Sequence, residues 1–155
     1  MNMSKTVITY GTFDLFHIGH LRLLQRLKAL GNRVIVGVST DEFNLGKGKK
    51  CLIPYDQRAE IVSNVKQVDM VIPESSWEQK EKDIVTYGVD IFAMGSDWKG
   101  KFDYLEEYCE VVYLERTEGV STTEIKNMLS TLDSQRIHEI QKALEVVYLL
   151  AKEFE

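Results

Sequence analysis

The chain has 155 residues, within the ~100 to 200 of a single domain, and 44% of them are apolar, which supplies a core without disulfide or metal staples. The 19 basic and 24 acidic residues leave a net charge of −5, which excludes non-specific binding to nucleic acid or acidic membranes as its task and requires a local cationic pocket for any anionic ligand. No apolar run approaches the ~18 residues of a membrane span, the opening MNMSKT has no signal pattern, and Cys51 and Cys109 match no CxxC spacing; a soluble, cytoplasmic protein without redox or four-cysteine zinc chemistry is expected.

In chain order, TVITY at 6–10 is the first strand candidate. A helix over 19–30 follows, with an apolar stripe of Leu21, Leu24, Leu27 and Leu30 ended by Gly31-Asn32. RVIVGVS at 33–39 is the second strand, and the polar connection over 40–55, with two glycines and three lysines, is the longest strand-free stretch. Loops of that length are often functional. A helix over 56–66, MVIPE at 70–74, a helix over 77–87, DIFAMG at 90–95, a helix over 103–108 and EVVYLE at 110–115 complete the alternation. The strands are mostly apolar throughout, which suits strands covered on both faces. The predicted class is α/β: an open, mainly parallel five-stranded sheet with helices on both faces, its ligands at the carboxyl ends of the strands. Past the last strand, EIKNMLS is helical, and 134–155 repeats apolar residues at Ile137, Ile140, Leu144, Val147, Ala151 and Phe154, thickened by Tyr148, Leu149 and Leu150. The predicted organisation is a domain over 1–130 and a C-terminal helical extension over 131–155, packed on its own domain or forming a subunit contact.

Directly after the first strand, GTFDLFHIGH sets Gly11, Thr12, Phe13, Asp14, His17, Gly19 and His20 at the strand-end turn and the entry to the first helix. Gly19 lets the backbone approach a ligand, and the first helical turn offers N–H groups and partial positive charge to an anion. Imidazoles there become phosphate donors; a structural histidine pair is the plain alternative, and zinc lacks an evident third ligand. GxxxxGK[ST] and GxGxxG are both absent, so neither a P-loop nor a common dinucleotide-binding domain is supported. In RTEGVSTTEIK at 116–126, Ser121, Thr122 and Thr123 precede a helix and form a second candidate anion site, unless Ser121 or Thr122 merely caps it. Arg116 adds a planar charged fork suited to phosphate oxygens. Lys47, Lys49 and Lys50 make the densest basic cluster. Asp97 suits a ribose or metal contact or a turn, and Asp14 holds a histidine or cation or closes its own turn.

These residues, with His17-Ile18-Gly19-His20 spelling the HIGH motif, resemble the cytidylyltransferase family of the HIGH-motif nucleotidylyltransferase superfamily. STDEFN, KGKK, WEQK, MGSDW, GKFDYL and CEVVYLERTEGVSTT extend the resemblance, over about 5–128, to the members that use glycerol 3-phosphate. The resemblance implies a Rossmann-like fold, transfer of a cytidylyl group from CTP to sn-glycerol 3-phosphate, Mg²⁺ accompanying CTP, a homodimer, and a place in teichoic-acid precursor synthesis. It implies that His17, His20, Lys47 and Arg116 are catalytic. Gly11, Thr12, Phe13, Asp14, Gly19, Lys49, Asp97, Thr117, Gly119, Val120, Ser121 and Thr122 would join the histidines and Arg116 around the nucleotide, and Lys47, Arg58 and Lys80 would meet the acceptor. No dedicated protein ligand for a metal is implied. Lys66, in KQVD, stands where relatives commonly carry Arg and is left out of the site. The alternatives are a phosphocholine or phosphoethanolamine acceptor, for whose ammonium group Tyr55, Trp77 and Trp98 could form an aromatic cage, an adenylyltransferase, and a catalytically silent nucleotide-binding or assembly module.

Overall fold

A computed structural model describes residues 4–152. They divide between Val120 and Ser121 into two compact units. In the first, strands β1 (Thr6–Gly11), β2 (Arg33–Ser39), β3 (Met70–Glu74), β4 (Ile91–Gly95) and β5 (Glu110–Leu114) form one sheet in the order β3-β2-β1-β4-β5. Every pairing is parallel. Helices α1 (Ile18–Leu30), α2 (Asp41–Gly46), α3 (Tyr55–Ser63) and α4 (Gln79–Tyr87) fill the connections.

Both faces of the sheet are buried, which accounts for the unbroken apolar runs. Val7, Val34, Val36 and Ile91 point to one face, where Leu24 and Leu27 of α1 and Val62 of α3 pack on them. Their chain neighbours Ile8, Ile35 and Phe92 point to the other, against Ile84 of α4 and Phe102 and Leu105. The register pairs Val7 with Val34 and Ile8 with Ile35, so like faces stay together. Gly37 is required by close approach: a Cβ there would stand 2.2 Å from Cδ1 of Tyr10, whose ring lies over β2. Strand order reverses between β1 and β4, and the crevice such a reversal opens lies at the carboxyl ends of the strands.

Three elements differ from the sequence expectation. The polar connection contains α2, capped by Thr40 Oγ1, which accepts the Phe43 N–H at 3.2 Å, with Asp41 and Glu42 in its first turn. A Thr followed by two acids is a helix-start signal, masked in the sequence by the glycines and lysines that follow. The helix expected over 103–108 is a 3₁₀ segment, Asp103–Glu107, too short to sustain α-helical bonding. The second unit is a single continuous helix, α5 (Thr122–Lys152), in place of a helical run followed by one more helix. From Ser121 onward the sequence has neither Gly nor Pro, so nothing interrupts it. Ile137, Ile140, Leu144 and Val147 of its apolar row are all more than half exposed, while the Ala151 side chain and Phe154 lie outside the described residues.

Candidate active site

The turn after β1 carries the histidines. Two non-glycine residues adopt left-handed backbone there, Phe13 (φ 54°) and Leu15 (φ 50°), a strain that persists only where the surroundings over-determine it. They do: Phe13 is buried in the core, and the Asp14 carboxylate, 2% exposed, accepts the backbone N–H groups of Leu52 at 2.8 Å and Ile53 at 2.9 Å. Asp14 is therefore a latch between the histidine turn and the lysine loop. Thr12 Oγ1 makes a second link, at 3.0 Å to Oδ1 of the buried Asn44.

His17 caps α1. Its Nδ1 accepts the Gly19 N–H at 3.0 Å, and Nδ1 of His20 accepts the His17 N–H at 3.2 Å, a capping box built from imidazoles. The rings stack with centroids 3.9 Å apart. Gly19, expected to admit a ligand, makes room for His17: a Cβ there would lie 2.7 Å from the ring's Cε1 and 2.9 Å from Nδ1. Burial pushes the His20 pKa down to about 4, with the His17 charge adding to the effect and Asp14 opposing it. Burial also lowers that of His17, helped by Arg116. A neutral imidazole whose Nδ1 accepts carries its proton on Nε2, so near neutral pH each ring presents an Nε2–H donor.

Arg116 follows β5, close enough to His17 to lower its pKa, and pairs across 3.7 Å with Asp97 beyond β4. Asp97 thus has a largely exposed ion-pair partner in Arg116, which the ribose-or-metal expectation did not include. The chain then runs through Thr117 and a left-handed Gly119 (φ 85°) to Val120, whose carbonyl oxygen would stand 3.7 Å from a Cβ on Gly19. Ser121 opens the second unit as an ordinary cap, its Oγ accepting the Glu124 N–H at 3.0 Å; Thr122 is the first residue of α5.

Lys47 ends α2, its ammonium 4.2 Å from the Phe43 ring centre and 5.5 Å from that of Trp77. Beside it opens a cleft of about 460 Å³ lined by Thr40, Phe43, Lys47, Ser75 and Trp77 among others. Burial lowers the Lys47 pKa, and Glu74 acts against the shift. Lys49, two residues on, is exposed. Lys80 has a bland reading as an exposed helix residue, but it is fully buried, 2.8 Å from Glu74 Oε1 and 4.5 Å and 4.9 Å from the ring centres of Tyr10 and Trp77.

Arg58, expected at the acceptor phosphate, is 1% exposed and engaged by the protein. Its Nε donates to the Ile53 carbonyl at 2.8 Å, Nη1 to those of Thr12 at 2.6 Å and Ser39 at 2.9 Å, and Nη2 to Asp41 at 2.7 Å. Asp41 also accepts the Tyr55 N–H, the main cause of its lowered pKa. Arg58 thereby ties the ends of β1 and β2 to the lysine loop, because a guanidinium with its donors spent on carbonyls positions others instead of reaching a ligand. Sequence reasoning missed Ser39, Asp41, Asn44 and Glu74. Ser39 and Glu74 are the last residues of β2 and β3, so their place at carboxyl ends was the available signal.

Among the described residues, no three His, Cys, Asp or Glu side chains gather as metal ligands, and no helix is long and apolar enough to cross a membrane. The cytidylyltransferase-like family model matches residues 8–128. The chain is 56% identical to glycerol-3-phosphate cytidylyltransferase of Bacillus subtilis (strain 168) over 128 residues, 83% of this chain and 99% of that protein. Its identity to the protein of the same name from Staphylococcus aureus (strain NCTC 8325 / PS 47) is 52%, over 84% of this chain and 99% of that one. The fold matches the crystal structure of the lipopolysaccharide core biosynthesis protein from Thermoplasma volcanium GSS1 with a TM-score of 0.65 at 25% identity, over 75% of this chain and 100% of the other. With its HIGH turn, its parallel Rossmann-like sheet and these relatives, the chain belongs to the cytidylyltransferase-like family.

Proposed function

We propose that the protein transfers a cytidylyl group from CTP to sn-glycerol 3-phosphate, giving CDP-glycerol and pyrophosphate. The observation that carries this reading is the common edge: the histidine turn after β1, the lysine loop after β2 and Arg116 after β5 all follow carboxyl ends of one parallel sheet. An acceptor phosphate is already an anion at neutral pH, its second pKa being about 6, so no general base is needed. One of its oxygens bonds to the α-phosphorus in line as the bond to the bridging oxygen breaks, and the β- and γ-phosphates leave as pyrophosphate. Catalysis consists of holding two anions together and donating to the charge that grows on the reacting oxygens. His17 and His20 supply neutral Nε2–H donors for this, and Arg116 supplies a charged fork. Lys49, Thr117, Gly119 and Val120 are assigned to the nucleotide phosphates, and Lys47 and Lys80 to the acceptor.

Without a three-ligand cluster among the described residues, Mg²⁺ fits this site as a passenger on the triphosphate, held mainly by phosphate and water. It would neutralise phosphate charge. A cytoplasmic place of action follows from the need for CTP.

Glycerol phosphate is favoured over phosphocholine or phosphoethanolamine because the aromatic faces already hold cations. Of the three rings that could form the cage, Trp77 lies under Lys47 and Lys80, Tyr55 under Arg58 and Trp98 under Lys101. A second ammonium would meet like charge in place of an open cage. The homodimer is assigned to α5: the family match ends at residue 128, and Ile137, Ile140, Leu144 and Val147 keep a seven-residue spacing of the kind that pairs helices. Leu144→Glu should then halve the mass seen by light scattering, and an unchanged mass would assign the subunit contact elsewhere. A pyrophosphate-release assay with CTP or ATP against the three phosphorylated acceptors tests the activity. Turnover only with CTP and glycerol 3-phosphate is expected; preference for another pair would overturn the reading.

A further inference from the structure

Glu74, the last residue of β3, is 3% exposed and has both carboxylate oxygens engaged. Oε1 accepts from Lys80 Nζ at 2.8 Å, and Oε2 accepts from the hydroxyl of Ser39, the last residue of β2. Ser39 Oγ in turn accepts from Lys47 Nζ at 3.3 Å. One carboxylate thus connects, through a single hydroxyl, the two lysines assigned to the acceptor, one from the end of α2 and one from α4. Each ammonium is also seated against Trp77. A buried ion pair is weak evidence for stability, since apolar side chains of similar volume serve a core at least as well. Two ammonium groups drawn together without a counter-ion would repel, and each would lose a fixed partner. We infer that Glu74 is a positioning residue of the reaction, holding Lys80 directly and Lys47 through Ser39 so that both ammonium groups face one phosphate monoester dianion. The inference rests on the proposed acceptor assignment and adds to it the group that places the two cations.

The charge environment of Lys47 agrees with this role. Desolvation, Lys49 and Lys80 act to deprotonate Lys47, whereas Glu74 and Cys51 act to keep it charged. In Glu74→Gln the amide keeps the shape and an acceptor for Lys80 but loses the charge. Calorimetric titration with glycerol 3-phosphate should then weaken by about tenfold or more, and KM for the acceptor should rise while that for CTP stays within about twofold. The alkaline limb of kcat/KM for the acceptor should move to lower pH as Lys47 loses its counter-charge. Ser39→Ala, which removes only the bridging hydroxyl, should raise the acceptor KM by a smaller factor and leave that for CTP unchanged. If Glu74→Gln fails to fold, Ser39→Ala decides the matter alone, and an unaltered acceptor KM there overturns the inference. Equal rises in both KM values, or unchanged acceptor affinity in Glu74→Gln, also overturn it. Wild-type protein that binds glycerol 3-phosphate but turns it over with no nucleotide would sink the proposed reaction, and the titration alone would then decide the role of Glu74. Wild-type protein that binds no glycerol 3-phosphate would overturn both.

Discussion

Burial of a neutral imidazole makes the fold sensitive to acid in a way that one substitution should remove. His20 titrates at about 4 against an ordinary value of 6.5, chiefly because it is desolvated beside His17. Above the ordinary value, folded and unfolded chains both carry the neutral ring, and the group contributes no pH dependence. As pH falls through the ordinary value, the unfolded chain takes up a proton that the folded chain refuses until its own lower value is reached, so stability is lost across that window. At about pH 5 the ring is almost fully charged in the unfolded chain and roughly nine-tenths neutral in the fold, which corresponds to about 2 kcal/mol lost relative to about pH 7.5. His20→Asn keeps an oxygen where Nδ1 accepts the His17 N–H and does not titrate. Urea unfolding of both proteins at the two pH values reads the effect, because the titrations of groups away from the His17–His20 pair and Asp14 are common to the two proteins. Wild type should lose about 2 kcal/mol more than His20→Asn. Equal losses would mean that the folded ring takes up its proton near the ordinary value, and the burial argument for His20 would be refuted.

Gly19→Ala sets a methyl group against His17, 2.7 Å from Cε1. Turnover should fall toward the ~10² to 10³ loss of a deleted transition-state donor with CTP affinity largely kept; steady-state kinetics check this. Arg58→Met leaves three carbonyls and the Asp41 carboxylate without their donor. A loss of about 1–3 kcal/mol is expected in urea unfolding for each carbonyl left buried without its donor, with the partly exposed Asp41 carboxylate adding little. Arg116→Lys keeps the charge but loses the fork, so kcat/KM for CTP should fall at every pH; unchanged kinetics would remove Arg116 from the nucleotide side.

The β-strands were legible because strands buried on both faces need apolar residues in unbroken runs, and all five lie within a residue of their predicted places. The place of the histidine turn was legible for a related reason, since it directly follows the first strand and opens the first helix. What the sequence did not disclose is how charge is spent. Lys80 lies on a helix whose neighbours Glu81 and Lys82 are exposed, and nothing local marks it as the one that turns inward. Its partner Glu74 is six residues away, and the rings around it come from β1 and from loops. Arg58 is placed at the acceptor by resemblance alone, yet four hydrogen bonds to groups as distant as Thr12 absorb it. Side-chain partners separated by dozens of residues follow from tertiary packing, which periodicity and spacing do not encode. The same holds for Gly19, whose steric purpose depends on the rotamer of His17.

The bonds from Asp14 to Leu52 and Ile53, and from Arg58 to Thr12 and Ile53, make the histidine turn and the adjoining stretch of the lysine loop move as one piece. On the proposed assignment, the nucleotide and acceptor halves of the crevice are therefore set in alignment when the chain folds, before either guest arrives. A disturbance at Asp14 or Arg58, whose bonds reach main-chain atoms on both sides, is therefore expected in the handling of both substrates, whereas the side chains of Ser39 and Glu74 bear on the lysines alone.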